Sequence, residues 1–203
     1  MDVPAGREKD LDEFLREDLF TSFLAVPGAL SAKRYRQIRG EGHQCMVVWE
    51  VERHEVTEGE AYEEVALRSR IVKGASIYFD QPKVVYQETI GFRQVEYEQE
   101  HCKYLLAAQM DVSPELEKEF NDWYDTEHVP LLMRVPGWMA SRRFIRIQGN
   151  APKYLALYEL ESPAVLDRSE HEATHKTEWY RRLRPHFENF SALLYERLYG
   201  LSR

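Results

Sequence analysis

The sequence predicts an α+β chain that contains two copies of one strand–helix–strand–strand–helix–strand unit. Met1-Asp2-Val3 recurs as Met110-Asp111-Val112, and Val26-Pro27-Gly28 recurs as Val135-Pro136-Gly137, both at an offset of 109 (110 − 1 and 135 − 26). Three consecutive matches at two places in one ungapped register indicate a tandem duplication. Single matches follow the same register: Arg34 with Arg143, Ile38 with Ile147, Gly40 with Gly149, Glu50 with Glu159, and Tyr86 with Tyr195.

The second copy shows the order of its elements most clearly. Ser113-Pro114-Glu115 opens a predicted helix, with serine as N-cap, which runs toward His128 and must kink or end near Pro130. Around it, short apolar runs predict strands and a long polar segment predicts a second helix. In chain order we expect a strand at 103–109, the first helix, strands at 141–147 and 154–160, a helix at 162–184 and a strand through 193–195. This is the ferredoxin-like βαββαβ order, and its sheet needs a second layer to cover its open face.

The domain prediction follows from the repeat. Residues 1–92 are the first ferredoxin-like repeat, 93–102 are a linker, and 103–203 are the second repeat. The first repeat lacks a counterpart of the strand at 103–109, which is central in this topology, so its absence would expose strand edges. Either that strand lies upstream, or the unrepeated segment 92–100 takes its place.

Composition excludes several classes of function. The 203 residues carry a formal net charge of -8, and the basic residues are scattered, so nucleic-acid binding is not expected. Two cysteines are too few for a disulfide framework. We find neither an apolar secretory leader nor a membrane-spanning run, and therefore expect a cytoplasmic protein with no membrane partner.

The predicted helix of the second copy carries the candidate chemistry. Its apolar stripe (Leu116, Phe120, Trp123, Tyr124, Leu131) includes Glu127 near the middle, and His128 lies on the flank beside Tyr124. A carboxylate that faces a core needs a partner, and burial or a neighbouring charge shifts its pKa, which makes Glu127 a candidate acid or base. The alternative is that Glu127 serves the scaffold and that His128 is an ordinary surface histidine.

The first copy serves as an internal control. At the offset of 109, Glu127 and His128 correspond to Asp18 and Leu19, whereas Trp123 and Tyr124 correspond to Phe14 and Leu15. The asymmetry predicts one functional pocket in the second copy, although relaxed packing in the first copy gives the same pattern.

Arg143 lies on the predicted strand 141–147, where by strand alternation it shares a face with Ile145 and Ile147. An arginine on an apolar face needs an anionic partner. Arg34 and Asp18 repeat the combination, so we expect a structural Glu127–Arg143 ion pair. An anionic group of a substrate is the other candidate partner.

The segment from Asn121-Asp122-Trp123-Tyr124-Asp125-Thr126-Glu127-His128 to Val129-Pro130-Leu131-Leu132, with Val135-Pro136-Gly137-Trp138, Arg142-Arg143-Phe144 and Lys153–Glu159, resembles EthD-like proteins. The match is good in the second copy and weak in the first. The resemblance implies the dimeric α/β-barrel superfamily, in which two ferredoxin-like sheets face each other as a barrel, normally in a homodimer. It implies enzymes as varied as cofactor-free decarboxylases, cyclases, isomerases, monooxygenases and haem-degrading proteins. Fold therefore transfers better than function.

A rival motif is His171-Glu172-Ala173-Thr174-His175, which matches the H-E-x-x-H pattern of zinc peptidases. Its flanks are polar all round and no third ligand is evident, so we predict no metal at this site.

The leading hypothesis is a cofactor-independent acid–base enzyme of the decarboxylase, isomerase or cyclase type. It would act on a small hydrophobic, aromatic or polyketide-like molecule, without cofactor or metal. His128 would move the proton, because its ordinary pKa suits neutral pH. The predicted catalytic residues are His128, Glu127 and Tyr124, and the predicted substrate contacts are Trp123, Arg143, Tyr154 and Leu131.

Two alternatives stay open. A non-catalytic binder of a hydrophobic ligand would depend on Trp123 and hardly on His128. A small monooxygenase or haem-related protein would need oxygen chemistry beside an axial histidine or a redox-active tryptophan.

Overall fold

The computed structural model describes residues 6–42, 44–71, 84–98 and 102–203. Its helices and strands form an α+β fold. The helices are α1 (Glu8–Phe14), α2 (Phe20–Leu24), α3 (Glu60–Ile71), α4 (Glu117–Trp123), α5 (Val129–Leu132), α6 (Ser169–Thr174) and α7 (Glu178–Leu183). The strands are β1 (Ala29–Arg39), β2 (Cys45–Val51), β3 (Val85–Arg93), β4 (Tyr104–Asp111), β5 (Trp138–Gln148), β6 (Tyr154–Leu160) and β7 (Glu188–Ser202).

The chain divides into two compact units. Unit 1 runs to Val85 and takes in Glu196–Arg203, and unit 2 is Tyr86–Tyr195. The last strand, β7, therefore contributes residues to both units. Each unit has its own hydrophobic core: Phe20 and Phe23 are central in unit 1, and Phe120 and Trp138 are central in unit 2.

The sheet of unit 2 has the strand order β7-β4-β6-β5-β3. Strand β6 pairs antiparallel with β4, Tyr104 opposite Leu160, and antiparallel with β5, Ile145 opposite Tyr154. The strand predicted at 154–160 is confirmed with those bounds, and the last strand is longer than predicted because it continues to Ser202. Because β6 is hydrogen-bonded to a strand on each side, the positions of its side chains in the core are fixed.

In unit 1 the strand order is β2-β1-β7. Strand β2 is the counterpart of β6 in sequence, yet it has one strand neighbour in the part of the chain that the structure describes. The segment 92–100 does not supply the missing strand over its described part, because β3 ends at Arg93 and residues 94–98 form a turn and a loop. Residues 99–100 of that segment, and residues 1–5, lie outside the described residues.

The offset of 109 seen in the sequence also separates the bounds of several elements. It relates β1 to β5 (138 − 29 and 148 − 39) and β2 to β6 (154 − 45 and 160 − 51). It also relates two π-helical turns, Leu15–Leu19 and Tyr124–His128 (124 − 15). A π-helical turn is thus present at the same place in both units.

The first helix of unit 2 differs from the prediction at its start. Helix α4 begins at Glu117, after a turn in which Leu116 N–H donates to the Ser113 carbonyl at 3.0 Å. The N-cap position is Leu116, with no side-chain cap, so the predicted capping by Ser113 is wrong.

The predicted kink before Pro130 is confirmed as a π-helical turn, in which Val129 N–H donates to the Tyr124 carbonyl. Such a turn fits proline, which has no N–H and would clash with the carbonyl four residues back. Proline is not its only cause, because unit 1 has the same turn with Thr21 at the position of Pro130 (130 − 109).

The extra residue in that turn changes which side chains face the core. The buried positions up to the first residue of the turn are Phe120, Trp123 and Tyr124. From the last residue of the turn onward they are His128, Val129 and Leu132. A regular helix would have placed Glu127 and Leu131 there, and both are only half-buried. The predicted stripe is therefore wrong after Tyr124, because the buried face is displaced by one residue. His128 occupies the core position that was expected for Glu127.

The second predicted helix, 162–184, is interrupted. A 3₁₀ turn at Pro163–Asp167 precedes α6, and α7 begins again after Thr177. The Thr177 hydroxyl accepts a hydrogen bond from Tyr180 N–H at 3.1 Å and so caps α7. No helix of the described residues is both long and apolar enough to cross a membrane.

We expect Gly137→Ala to destabilise the protein by about 1–3 kcal/mol. Gly137 has φ +84°, and a Cβ there would lie 2.7 Å from Val165 Cγ2. Unfolding in urea, followed by circular dichroism, measures the change. The matched control is Gly59→Ala, because Gly59 has φ -77° and its nearest atom would be a carbonyl oxygen at 3.6 Å. An equal loss in both variants would contradict the steric argument.

Candidate active site in unit 2

The imidazole of His128 lies in an aromatic cluster in the core of unit 2. Its exposed fraction is 6%. The ring stacks on Trp123 with centroids 4.4 Å apart, meets Tyr124 edge-on at 5.1 Å, and lies 6.0 Å from the ring of His175 and 6.3 Å from that of Tyr180. Its Nδ1 atom is buried and has no hydrogen-bond partner among the residues that the structure describes. A buried polar atom without a partner is unfavourable, and such atoms are a frequent mark of a functional site.

The surroundings keep His128 neutral. Burial lowers the pKa of His128 well below its ordinary value, and the nearby His175, His171 and Arg143 lower it further. Burial, with help from His171 and Arg184, also lowers the pKa of His175 to about 4. At neutral pH both imidazoles are therefore uncharged. A neutral imidazole has one nitrogen lone pair that can accept a proton.

Two buried tyrosines lie next to this cluster. The hydroxyl oxygens of Tyr124 and Tyr158 are 2.8 Å apart. Burial raises the pKa of Tyr124, and burial together with Tyr124 raises that of Tyr158. Both phenols are therefore protonated at neutral pH. Because one hydroxyl donates to the other, the accepting hydroxyl keeps its own proton to donate elsewhere.

Arg143 is buried against the tyrosine pair, with its guanidinium 4.1 Å from the centre of the Tyr124 ring. Its Nη1 donates to Asp125, and its Nη2 donates to the Asn121 side-chain oxygen at 2.8 Å. The expected Glu127–Arg143 ion pair is therefore wrong. The π-helical turn explains the difference, because it moves Glu127 away from the face on which Arg143 lies.

Glu127 instead holds the scaffold around the histidine. Its Oε1 accepts hydrogen bonds from Trp123 Nε1 at 3.2 Å and from the Thr177 hydroxyl at 2.7 Å. Trp123 is the ring on which His128 stacks, and Thr177 caps α7. In unit 1 the matching Asp18 is exposed and bonds to Ser22, so the expected Asp18–Arg34 pair is also wrong.

The other predicted substrate contacts lie around the cluster. Tyr154 is buried against Phe120, with ring centroids 4.8 Å apart. Leu131 is half-buried, and its neighbour Leu132 occupies the core position. The structure thus brings Trp123, Tyr124, His128 and Arg143 together and places Tyr154 and Leu131 at the edge.

Three residues of the cluster were missed by the sequence analysis as site residues. Tyr158 follows Tyr154 and Ala156 on one face of β6, and strand alternation was the signal for it. His175 and Tyr180 lie on the interrupted helix, which was interpreted as polar all round. That interpretation is wrong, because His171 stacks on Trp138 with centroids 5.5 Å apart.

The H-E-x-x-H motif therefore contributes to the aromatic core. The rings of His171 and His175 have centroids 4.8 Å apart, and His171 Nδ1 lies 2.8 Å from the Leu166 carbonyl oxygen. Glu172 pairs with Lys176 at 2.6 Å. Across the described ranges, no three His, Cys, Asp or Glu side chains are grouped so that they could hold a metal ion.

Several solved structures resemble the whole chain. A candidate monooxygenase from Fusobacterium nucleatum has a TM-score of 0.65 at 13% identity, over 100% of this chain and 91% of its own. An anthrone oxidase-like protein has a TM-score of 0.67 at 12% identity, with 100% and 89% covered. A candidate monooxygenase from Lactobacillus acidophilus has a TM-score of 0.55 at 13% identity, with 96% and 90% covered.

The likeness shows that this chain has the same α+β fold as these structures. No protein-family model and no curated protein sequence matches the chain.

We expect the stability of the protein to fall as the pH drops below 6.5, with His128 as one cause. The unfolded chain takes up a proton near the ordinary pKa of 6.5, whereas the folded chain resists it because the pKa of His128 is lowered. The stabilisation is thus complete above pH 6.5 and is lost as the pH falls. Urea unfolding at pH 7.5 and 5.0 measures it. The His128→Leu variant, which carries the residue of unit 1, should lose less stability over this interval than the parent, and an equal loss would contradict the assignment.

We expect Asp125→Ala to destabilise the protein by about 1–3 kcal/mol, because it leaves the buried Arg143 guanidinium without its carboxylate. The matched control is Glu88→Ala, which removes the partner of the less deeply buried Arg142 (side chain 16% exposed, against 5% for Arg143). That change should cost less than about 1 kcal/mol. Urea unfolding of both variants measures the difference, and similar values would argue that Arg143 does not depend on Asp125.

Proposed function

We propose that the chain is a tandem duplication of a ferredoxin-like unit, with repeats at 1–92 and 103–203 joined by 93–102, in an EthD-like branch of its superfamily. The shared offset of 109 in both sequence and element bounds supports this proposal. In this view unit 2 keeps the functional side chains, and the corresponding side chains of unit 1 are Phe14, Leu15 and Leu19.

We further propose that unit 2 contains the active site of an enzyme. The enzyme removes a proton from a small aromatic molecule, with neutral His128 as the base. The observation that carries the proposal is the buried imidazole whose Nδ1 has no hydrogen-bond partner within the described part of the chain. A structural histidine would normally have its ring nitrogens hydrogen-bonded. The aromatic rings of Trp123, Tyr124 and Tyr180 around it suit a flat, apolar substrate.

The chemistry needs no group beyond the side chains of this chain. The substrate C–H bond breaks, the proton goes to the imidazole, and the electron pair stays on the substrate as a carbanion or enolate. The free hydroxyl proton of the Tyr124–Tyr158 pair can donate to the oxygen on which the charge gathers. Return of the proton from His128 to another atom of the substrate completes an isomerisation without net oxidation. In a cyclisation the carbanion first attacks a carbonyl carbon of the same molecule, its C=O π bond becomes an alkoxide, and the alkoxide takes the proton from His128.

A monooxygenase is the second candidate, because two of the similar structures are named as candidate monooxygenases and one as anthrone oxidase-like. The first step would be the same. The carbanion would then add molecular oxygen, and cleavage of the O–O bond with loss of water would convert a CH₂ group and O₂ into a carbonyl group and H₂O. His128 would act as base in both cases, so oxygen consumption separates the two reactions.

The test uses anthrone as probe substrate. Exchange of its methylene protons for deuterium under argon, followed by NMR, reports proton removal alone, and an oxygen electrode reports the second step in air. His128→Asn should slow both by about 100-fold or more, the usual contribution of a positioned base. The control, His186→Asn, alters an exposed histidine and should leave the rates unchanged.

Each outcome identifies a function. Exchange without oxygen uptake supports the acid–base enzyme, and exchange with oxygen uptake supports the monooxygenase. Binding of anthrone that is weakened by Trp123→Ala, with no exchange and no dependence on His128, would show a non-catalytic binder and overturn the proposal.

A further inference from the structure

Unit 1 contains a polar cavity of about 500 Å³ that the proposed reaction does not use. A volume of this size is typical of sites for small molecules. Its lining includes Asp12, Arg16, Arg34, Arg36, Leu198 and Tyr199, all of them residues of unit 1. Three guanidinium groups in one cavity suggest an anionic occupant, because the planar fork of arginine matches the oxygens of a carboxylate.

Arg34 is the buried member of this group, with 3% of its surface exposed. Its Nη1 donates to the Tyr35 backbone carbonyl. Its Nε lies 3.3 Å from Asp12 Oδ1 but donates no hydrogen bond, because the geometry is unfavourable. The same Asp12 oxygen accepts a hydrogen bond from the Tyr199 hydroxyl at 3.0 Å. The buried guanidinium is thus close to a carboxylate and incompletely hydrogen-bonded by it.

The matching arginine of unit 2 is satisfied in a different way. Arg143 donates to the carboxylate of Asp125 and to Asn121. At the offset of 109, the position of Asp125 is Arg16 in unit 1 (125 − 109). The position of that carboxylate is therefore held in unit 1 by a second cation. The carboxylate beside Arg34 is Asp12, which stands at the position of Asn121 (121 − 109) and lies 3.3 Å from the Arg34 Nε.

Arg16 adds its charge without a carboxylate partner among the described residues. Its guanidinium lies 4.5 Å from the centre of the Tyr199 ring, at the wall of the cavity. Arg36, by contrast, is paired with Glu196 at 2.8 Å, so its charge is balanced. Glu8 also lines the cavity, but its side chain is exposed and water screens its charge. Arg16 and Arg34 against Asp12 carry one net positive charge, of which the Arg34 guanidinium is the buried part and the Arg16 guanidinium the exposed part.

We propose that this cavity binds a small organic carboxylate, with the guanidinium groups of Arg16 and Arg34 as its anchor. The carboxylate supplies the anion that Asp125 supplies in unit 2. The side chain of Leu198 and the ring of Tyr199 contact the apolar body of the ligand. Inorganic phosphate shares the oxyanion chemistry but lacks that apolar body.

The test observes the arginine Nε–H signals of the ¹⁵N-labelled full chain by NMR during titration at constant ionic strength. Benzoate is the organic probe and inorganic phosphate is the comparison. Benzoate should shift the Arg34 Nε–H signal saturably. Arg16→Gln should weaken binding about tenfold, a loss of about 1.4 kcal/mol, and Arg16→Asp, which copies the arrangement of unit 2, should abolish it.

Arg16 is exposed, so neither substitution should affect folding, and the backbone amide spectrum verifies this. The matched control is Arg182→Gln, which removes one exposed cation from unit 2 and should leave the affinity unchanged. Saturation by phosphate but not benzoate would overturn the organic ligand. An Arg34 signal that stays unshifted by benzoate, unchanged affinity in Arg16→Asp, or an equal loss in Arg182→Gln would overturn the site itself.

Discussion

The π-helical turn at Tyr124–His128 is the constraint on which the candidate site depends. One extra residue in the turn rotates the following side chains, so the imidazole of His128 enters the core and the carboxylate of Glu127 does not. π-Helical turns are rare in proteins and are concentrated at functional sites. Here the turn decides which ionisable group is desolvated. A buried carboxylate at this place would have needed a cation, whereas a buried imidazole stays neutral without one.

The other polar groups of unit 2 are arranged consistently with a neutral imidazole. The positive charge of Arg143 is taken up by Asp125, and its guanidinium covers the face of Tyr124. Glu127 is hydrogen-bonded to Trp123 and Thr177, and among the described residues no carboxylate contributes to the pKa shift of His128. The low proton affinity of His128 is therefore a property of the whole arrangement. It keeps the imidazole unprotonated and makes it a weaker base, so the proposed proton removal depends on fixed dipoles that stabilise the charges as they develop.

Much of the fold was predictable from the sequence. The strands around β6 followed from apolar runs and alternation, because a strand with two neighbours has a strong and simple pattern. The break before Pro130 followed from the chemistry of proline. The π-helical geometry of the break was not predictable, since no local sequence pattern distinguishes a kink from an inserted residue. The inserted residue is what displaces the buried face of the helix by one position. The contacts of Arg143 and Glu127 were mispredicted for the same reason.

His171 and His175, in and just after α6, show a different limit of prediction from the sequence. Their flanks are charged, and a helical pattern alone gave no apolar stripe, because the segment is divided into two short helices with different faces. Only the packing of His171 on Trp138 and of His175 near His128 shows their role. Within the described ranges β2 has one strand neighbour, and the sequence predicts such an edge wherever a copy of the unit lacks one strand.

The two units together show how one backbone can serve different charges. Both have a buried arginine at matching positions, 34 and 143, on strands with matching bounds, and both have a π-helical turn before the second helical segment. What differs is the second residue of that turn, which is Asp125 in unit 2 and Arg16 in unit 1. Asp125 accepts a hydrogen bond from Arg143, whereas Asp12 lies 3.3 Å from the Arg34 Nε without accepting a hydrogen bond from it. A buried guanidinium that is not fully hydrogen-bonded is unfavourable unless something else supplies the acceptor. Unit 1, which has leucine at the position of His128, thus has the less completely hydrogen-bonded arginine, and the two units differ in charge as well as in packing.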